Sequence, residues 1–209
     1  MTIDEFCHQH PYLYHMAHPN ALESIQRHGL LSTARVVALL DLKQDERDRY
    51  CAQHRPEIVP LSHPEHGDFF LRDQKPLNEK ALARGLQDGL TIHDWYRMLN
   101  QRTFLWIHRS SLCKLLDARA YRKSSHLLLT IESRPLLTRH LDDITVTTTN
   151  TGAAFPLGSA PKGLSSFIPL RDYPVKGKRK KLVELTVLGG IPDIRDYLVQ
   201  TEVTKALPQ

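Results

Sequence analysis

Residues 13–32 read LYHMAHPNALESIQRHGLLS, and they combine a strand signal, a helix signal and a glycine stop in one short stretch. We predict a strand over 12–17, because this segment is aromatic and the residue before Pro19 favours an extended backbone. His15 lies near the end of that strand, where a binding residue and an ordinary packed side chain fit equally well. The stretch therefore predicts a compact strand–helix unit that could bind a small ligand.

The helix of this unit carries its own start and stop signals. Asn20 can accept hydrogen bonds from the first free amides of a helix, with Glu23 as the reciprocal partner of a capping box. Gly29 supplies a left-handed residue that ends the helix. We expect Ser32 or Thr33 to cap the next helix.

The composition is that of one soluble domain spanning residues 1–209, with 41% hydrophobic and 24% charged residues. No apolar run approaches the ~20 residues that a membrane span needs. The first residues, MTIDE, lack the basic start and apolar core of a secretion signal. We therefore expect a cytoplasmic monomer without a membrane partner. The three cysteines are far apart and are expected to be reduced thiols.

The charge balance favours an anionic partner, since 28 basic residues face 23 acidic ones and the pI is about 9.2. The sharpest basic cluster is KGKRKK at 176–181. This run is either a solvated hairpin tip or a site for polyphosphate or nucleic acid. The segment 150–165 is rich in glycine, proline, serine and alanine, and a loop of that length is typical of a functional segment.

The periodic segments predict an α+β domain. Helices are predicted at 20–28, 34–53, 78–86, 92–101, 110–117 and 134–140, and strands at 12–17, 57–61, 68–72, 103–107, 126–132, 143–148, 166–170 and 182–188. This order fits a split or sandwiched mixed sheet with helices mainly on one side better than a doubly wound sheet.

Metal and common nucleotide motifs are not indicated. The histidines near the start have poor ligand spacing and no carboxylate or thiol motif completes them, so no metal is predicted; they are His8, His10, His15 and His18. The sequence also lacks a dinucleotide-binding glycine motif, a P-loop lysine and a nucleophile elbow.

Two later segments carry residues of chemical interest. The strand pattern KLVELTVL at 181–188 contains Glu184, which is costly there unless it faces solvent, a partner or a cleft. The segment RTFLWIHRSSL at 102–112 runs an aromatic strand into a helix start. Both segments also have an interpretation without a function: Glu184 would be exposed on an edge strand, and Phe104 and Trp106 would pack in the core.

These three segments, in this order, resemble the ADP-ribosyltransferases, most closely the DarT-type enzymes that modify DNA. Tyr14-His15 followed by a helix and Gly29-Leu30-Leu31 is similar to the first NAD-binding element of that family. The 103–112 segment resembles its aromatic strand and Arg-Ser segment, and Glu184 with Pro192 resembles its catalytic strand. The chain is also similar to uncharacterised bacterial proteins with Arg72-Asp73-Gln74 and Asn150-Thr151-Gly152 segments. The resemblance spans most of the chain in patches.

The resemblance implies an ADP-ribosyltransferase-like split mixed or antiparallel sheet with flanking helices and an NAD cleft between the sheets. NAD would be a co-substrate, and Glu184 would hold a ribose hydroxyl and balance the charge of an oxocarbenium-like state. His15 would orient a ribose, and Tyr14 or a nearby aromatic residue would pack against nicotinamide. The residues expected to contact NAD are Tyr14, His15, Asn20, Leu31, Ser32, Phe104, Trp106 and Asn150.

One position departs from the family's pattern. The arginine that neutralises the pyrophosphate belongs in the helix and loop after the first unit, where Arg47, Arg49 and Arg55 offer no clear match. Arg72 is the preferred candidate, because it ends a predicted strand at the start of a charged cluster. We therefore predict Arg72 together with Glu184 as the catalytic pair.

The predicted function is transfer of ADP-ribose from NAD to a nucleic-acid base, in DNA rather than RNA, as a toxin or phage-defence effector with a cognate antitoxin as a candidate partner. The base would be reached in a single strand or after flipping. An RNA 2′-phosphotransferase of the same fold is the first alternative, and it needs more arginines around the phosphate. The second alternative is a non-catalytic nucleic-acid-binding module in which Glu184 is simply exposed.

Overall fold

The computed structural model describes residues 1–155, 160–174 and 180–205. Most of the basic cluster at 176–181 and the centre of the 150–165 loop therefore lie outside the described residues. The helices are α1 Ile3–Gln9, α2 Leu22–His28, α3 Thr33–Leu39, α4 Gln44–Ala52, α5 Glu79–Gly85, α6 Ile92–Asn100, α7 Arg109–Leu116 and α8 Ser133–His140. The strands are β1 Tyr12–Ala17, β2 Leu30–Leu31, β3 Val59–His63, β4 Gly67–Leu71, β5 Arg102–Trp106, β6 Leu127–Glu132, β7 Ile144–Thr147, β8 Ile168–Pro169, β9 Glu184–Leu188, β10 Gly190–Ile191 and β11 Leu198–Val203.

Seven of these strands form one sheet in the order β11-β6-β1-β5-β9-β7-β8. Neighbouring strands in it run antiparallel throughout the described residues. Two further pairs, β2 with β10 and β3 with β4, form small separate sheets. The α+β prediction is therefore confirmed, whereas a mixed large sheet is not what the chain forms.

Strands β1 and β5 of the large sheet are paired over a much shorter length than β1 and β6, and we call the place where they meet the joint. Strand β1 pairs with β6 along its whole length, but with β5 it shares a single registered pair, Tyr14 with Trp106. Beside this pair the Nδ1 atom of His15 lies 2.8 Å from the carbonyl oxygen of Phe104. A side chain thus bonds a main-chain carbonyl of the neighbouring strand, and the sheet opens next to His15.

The two faces of the sheet differ in chemistry because strand side chains alternate. One face is apolar and fully buried, with Leu185 and Val187 of β9 in the main core. The other face carries Glu184 and Thr186 of the same strand. Trp106 pairs with Glu184 across the strands, so these two side chains share the second face.

The first strand–helix unit starts as predicted but its helix begins later. A 3-10 turn over Pro19–Ala21 precedes α2, and the N–H of Asn20 donates to Nδ1 of His18 at 3.3 Å. The side chain of Asn20 makes no cap, and α2 starts without a side-chain cap at all. The predicted Asn20 cap is therefore wrong, because the proline turn moves the helix start past that residue.

The other signals of this unit behave as predicted. Gly29 has a φ of 90° after α2, and the Oγ of Ser32 accepts from the N–H of Arg35 at 3.3 Å to cap α3. The predicted helix over 34–53 is broken into α3 and α4, with Asp41 at a φ of 45° in between. A single left-handed residue is enough to end a helix there.

Two glycines bring the end of β9 against the first unit. A Cβ added to Gly190 would lie 2.5 Å from the carbonyl oxygen of Leu30, and one added to Gly29 would lie 2.4 Å from Cα of Pro192. Both glycines also have positive φ values. Only glycine fits these positions, so the β2–β10 pairing fixes the Glu184 strand beside the His15 unit.

Candidate functional site

A cleft of about 290 Å³ opens at the joint of the sheet. Its walls come from β1, the α2–β2 connection, the end of β4, β5 and the first residue of β9. Eight predicted site residues line it: His15, Leu31, Ser32, Arg72, Phe104, Trp106, Asn150 and Glu184. Residues from the two ends of the chain therefore meet in one cavity.

Glu184 is a buried carboxylate, with 5% of its surface exposed. Its Oε2 accepts hydrogen bonds from Oγ1 and N–H of Thr151 at 2.8 and 3.1 Å and from Oγ1 of Thr147 at 3.2 Å. Within the described part of the chain, Oε1 has no hydrogen-bond partner. The carboxylate is therefore held through Oε2 in the lining of the cleft. The reading of Glu184 as an exposed residue of an edge strand is wrong, since β9 lies between β5 and β7.

Burial is the main influence on the ionisation of Glu184 and raises the pKa of its carboxyl group. The hydrogen bonds from Thr151 and Thr147 and the positive charge of Lys162 oppose this rise. The threonine donors favour the charged form because they bond to a carboxylate oxygen. The site thus contains a carboxylate that is kept in place by neutral donors.

His15 is a neutral hydrogen-bonding group. Burial lowers the pKa of its imidazole to about 4, with the positive charge of Arg72 acting in the same direction. A carbonyl oxygen can only accept, so Nδ1 carries the proton that is donated to Phe104. The neutral ring then has Nε2 as an acceptor, which suits a hydroxyl group of a ligand.

Arg72 lies in the wall formed by the end of β4. Its guanidinium carbon is 5.4 Å from the ring centre of Tyr121, and its Nη2 is 3.6 Å from Oδ2 of Asp73. Nη1 of Arg72 donates to Nδ1 of His126 at 3.4 Å, while Nε2 of His126 donates to the carbonyl of Tyr121. The guanidinium is thus held in the cleft wall by an aromatic ring, a carboxylate and an imidazole.

Arg55 supports this wall from below. It is buried, and it donates to the carbonyl of Arg72 at 3.2 Å, to the carbonyl of Tyr50 and to Oδ1 of Asn100 at 2.9 Å. Burial lowers the pKa of Arg55 to about 10, so the group stays charged at neutral pH. In the sequence Arg55 is only one of three arginines without a clear match to the family's pattern, whereas in the structure its hydrogen bonds connect α4, α6 and the end of β4.

A third arginine lines the cleft on β5. Arg102 donates from Nη1 to the carbonyl of Met98 at 2.8 Å, and its guanidinium carbon lies 4.3 Å from the ring centre of Phe167. Burial lowers the pKa of Arg102. Phe104 packs in the same aromatic cluster, 6.5 Å from Phe167 between ring centres. The predicted residue Phe104 therefore combines cleft lining with core packing.

Lys162 is a functional candidate that the sequence did not single out. It is buried, with Nζ 2.9 Å from the carbonyl of Asn150 and 5.7 Å from the ring centre of Trp95. Burial lowers the pKa of this lysine, and the charge of Glu184 opposes the change. The only sequence signal was its location in the loop-like 150–165 segment. Through Asn150 and Thr151, Lys162 stabilises the loop that binds Glu184.

Two predicted NAD contacts lie elsewhere. Tyr14 is half-buried and packs with Met16, Leu128 and other apolar residues beside α7, and it does not line the cleft. Asn20 is exposed in the turn before α2 and does not line the cleft either. Tyr14 pairs with Trp106 and so lies on the same face of the sheet as Glu184, but its side chain packs beside α7. His15 alternates to the opposite face and lines the cleft where β1 meets β5.

The described residues contain neither a metal-binding cluster nor a membrane-spanning helix. Within residues 1–155, 160–174 and 180–205, no group of three or more histidine, cysteine, aspartate or glutamate residues could hold a metal ion. No helix in that part of the chain is long and apolar enough to cross a membrane.

Comparison with known proteins gives a family but no activity. Residues 11–198 match the group described as a family of unknown function, DUF7002, and the chain belongs to that family. No curated protein matches the chain. The matched range contains both β1 and β9, so the family match includes His15 and Glu184.

Proposed function

We propose that this DUF7002 protein binds NAD in the cleft and transfers its ADP-ribose to a nucleic-acid base. The observation that carries the proposal is the pairing of Glu184 and His15 in one cavity. Oε1 of Glu184 has no hydrogen-bond partner among the described residues, and His15 supplies a neutral acceptor nitrogen. Two acceptors in a half-buried cleft suit the hydroxyl groups of a ribose.

The chemistry of the transfer suits this arrangement. The bond between the ribose C1′ and the nicotinamide nitrogen breaks, and its electron pair leaves with neutral nicotinamide. An amine or ring nitrogen of the acceptor supplies the new pair to C1′ and afterwards loses a proton to Glu184 or to water. A carboxylate held near the ribose stabilises the positive charge that develops on the sugar in between.

The arginines of the cleft support the binding of an anionic co-substrate. Arg72, Arg55 and Arg102 all line the cavity that contains Glu184. A guanidinium can donate two hydrogen bonds to phosphate oxygens, and Arg72 remains the candidate for the pyrophosphate of NAD. Arg55 would act mainly by its charge, because it already donates to protein oxygens.

The proposed acceptor of ADP-ribose is a base in single-stranded DNA. A formal net charge of +5 favours a polyanion, and DNA is preferred to RNA because of the DarT-type resemblance. A base has to leave the stack to enter a cleft of this kind, so a single strand is the natural substrate. Such a modification would make the chain a toxin or defence effector, for which a cognate antitoxin is the expected partner.

Two measurements test the proposal. NAD should raise the melting temperature of the purified chain, since a ligand that binds only the folded state stabilises it. Incubation with NAD and single-stranded DNA or RNA should add the mass of ADP-ribose to an oligonucleotide and release nicotinamide. A chain that neither responds to NAD nor releases nicotinamide with any acceptor would contradict the proposal.

The presence of three arginines in the cleft favours one second candidate, an RNA 2′-phosphotransferase. That reaction needs several cations around a phosphate, and Arg55, Arg72 and Arg102 supply them. Conversion of a 2′-phosphorylated RNA in the presence of NAD would identify this activity. Mass spectrometry of the RNA separates the outcomes, because phosphate is lost in one reaction and ADP-ribose is gained in the other.

A further inference from the structure

The turn after α7 forms one rim of the cleft. Tyr121 and, at the end of the helix, Leu115 line the cavity. The phenol of Tyr121 donates to Oδ1 of Asp73 at 2.6 Å, and its ring lies beneath the guanidinium of Arg72. The N–H groups of Tyr121 and Arg122 both donate to the carbonyl of Ala118, so the turn has hydrogen bonds of its own while the phenol of Tyr121 attaches it to the wall.

Around this anchor the surface is basic. Residues 114–123 read KLLDARAYRK, and four exposed cations face one exposed acid, Asp117. The cations are Lys114, Arg119, Arg122 and Lys123, which we call the basic rim. In the described ranges of the chain none of them has a carboxylate within 4 Å. By contrast, Arg47, Arg97 and Arg134 each have an acidic partner.

The basic rim lacks the features of a protein-binding surface. Interfaces between proteins are centred on exposed aromatic or other large apolar side chains. The ring of Tyr121 is buried, and the exposed large apolar residues of the described chain lie outside 114–123. Exposed cations without apolar anchors are typical of surfaces that bind phosphate backbones.

We infer that the basic rim binds the phosphodiester backbone of a single-stranded nucleic acid whose base enters the cleft. This inference rests on the proposed function for its acceptor class. A base that reaches Glu184 past Tyr121 leaves its flanking phosphates near the turn that contains Tyr121 and the exposed cations Arg119, Arg122 and Lys123. These contacts hold the strand without reading its sequence.

Anisotropy of a labelled 20-nucleotide single-stranded DNA, measured without NAD over a series of salt concentrations, tests the inference. The triple variant Arg119→Gln, Arg122→Gln, Lys123→Gln should bind at least about tenfold more weakly than the wild type. The slope of log K against log salt concentration should become less steep by about 2, because each lost phosphate contact reduces the magnitude of that slope by about 0.7.

A charge-matched control distinguishes an effect of the basic rim on DNA binding from an effect of the net charge of the protein. The variant Lys43→Gln, Lys80→Gln, Arg195→Gln removes three exposed cations from other surfaces, and it should bind within about threefold of the wild type. Equal losses in both triple variants would overturn the inference. So would wild-type binding to a polyglutamate peptide as tight as binding to the oligonucleotide, because the partner would then be acidic protein.

The same samples keep this inference distinct from the proposed function. Binding of DNA through the rim with no melting response to NAD would support the surface and contradict NAD-dependent transfer. A melting response and nicotinamide release without DNA binding would support the NAD site and overturn the surface. Circular dichroism of both triple variants should match the wild type, because every substituted side chain is exposed.

Discussion

The two walls of the cleft surround their charged side chains with different kinds of partner. In the Glu184 wall, made by β9, Thr147, Thr151 and Lys162, neutral donors hold one oxygen of a carboxylate. In the Arg72 wall, made by the end of β4 with Arg55 and Tyr121, a carboxylate and an aromatic ring surround the cation. No ion pair within 4 Å involves Glu184 in the described residues, whereas Arg72 has Asp73 beside it.

This difference separates a reactive group from a supporting one. A buried carboxylate without a close cation keeps its charge available to a substrate, although burial disfavours that charge. A cation that already contacts Asp73 and Tyr121 is less able to move toward a substrate, but these contacts hold it in a fixed orientation for binding. We therefore expect the Glu184 wall to govern chemistry and the Arg72 wall to govern binding and stability.

The largest expected effect comes from removing the charge of the Glu184 wall. Glu184→Gln should lower the rate of ADP-ribose transfer about 100- to 1000-fold, the range found for the loss of one group that stabilises transition-state charge. NAD should still raise the melting temperature of this variant. Mass spectrometry of the acceptor measures the transfer.

The exposed residue Glu132 provides the matched control for that experiment. Glu132→Gln should transfer at the wild-type rate, because it removes the same charge from a residue that does not line the cleft. Retention of more than a tenth of the activity in Glu184→Gln would mean that the carboxylate has no direct role.

The next effect tests the structural role of the Arg72 wall. Arg55→Met should lower the free energy of unfolding by about 2 to 4 kcal/mol, because Asn100 and the carbonyls of Tyr50 and Arg72 lose a buried donor. The exposed neighbour Arg49, substituted in the same way, should cost less than about 1 kcal/mol. Urea unfolding monitored by fluorescence gives both values, and equal costs would contradict this role.

A smaller effect concerns the histidine between the walls. Unfolded His15 binds a proton below about pH 6.5, whereas the folded residue stays neutral down to about pH 4. The unfolded chain thus binds more protons in this window, so the contribution of His15 to stability is present above pH 6.5 and falls as the pH falls. As the pH falls from 7 to 4.5, the free energy of unfolding should therefore decrease in both proteins. The decrease should be smaller in His15→Gln than in the wild type, by about 2 kcal/mol.

Gln at position 15 can still donate to the carbonyl of Phe104, which keeps the variant comparable. Burial also lowers the pKa values of His18, His108 and His126, but these residues are common to both proteins and cancel in the difference. His8→Gln, at an exposed position, should follow the wild-type curve. Parallel curves for His15→Gln and the wild type would show that the imidazole is not held neutral.

Much of the fold could be predicted from local patterns. The aromatic pattern of 12–17 gave β1 at its observed limits, and the alternation around Glu184 gave β9 within two residues. Strands such as β2 and β10 could not be predicted, because two residues carry no periodicity. They form only where Gly29 and Gly190 let distant backbones meet.

The candidate site was predictable where one residue carries the chemistry. His15 and Glu184 stand out by residue type and by their likeness to a known pattern, and both line the cleft. Thr151 and Lys162 have no such signal, because their importance comes from hydrogen bonds across the fold. Tyr14 shows the opposite case, since its motif drew attention to it but its side chain packs beside α7 and does not line the cleft.

The smallest expected effect tests the electrostatic role of Lys162 in the Glu184 wall. Its charge favours ionised Glu184, so Lys162→Met should raise the pKa of that carboxyl group. The acid limb of the transfer rate should move to higher pH, with a loss of about 3- to 10-fold on that limb and little change on the plateau at higher pH. Rates measured from pH 5.5 to 8.5 give the profile.

Lys162→Gln separates charge from hydrogen bonding, because glutamine can donate to the carbonyl of Asn150 but carries no charge. An electrostatic role requires this variant to show the same shift as Lys162→Met, whereas a purely structural role would be rescued by it. The exposed substitution Lys80→Gln should leave the profile unchanged. Carbon-13 NMR of labelled glutamate carboxyls, with the Glu184 signal assigned by its absence in Glu184→Gln, measures the same pKa without any transfer reaction. An unchanged Glu184 titration in both Lys162 variants would mean that the buried lysine only supports the loop.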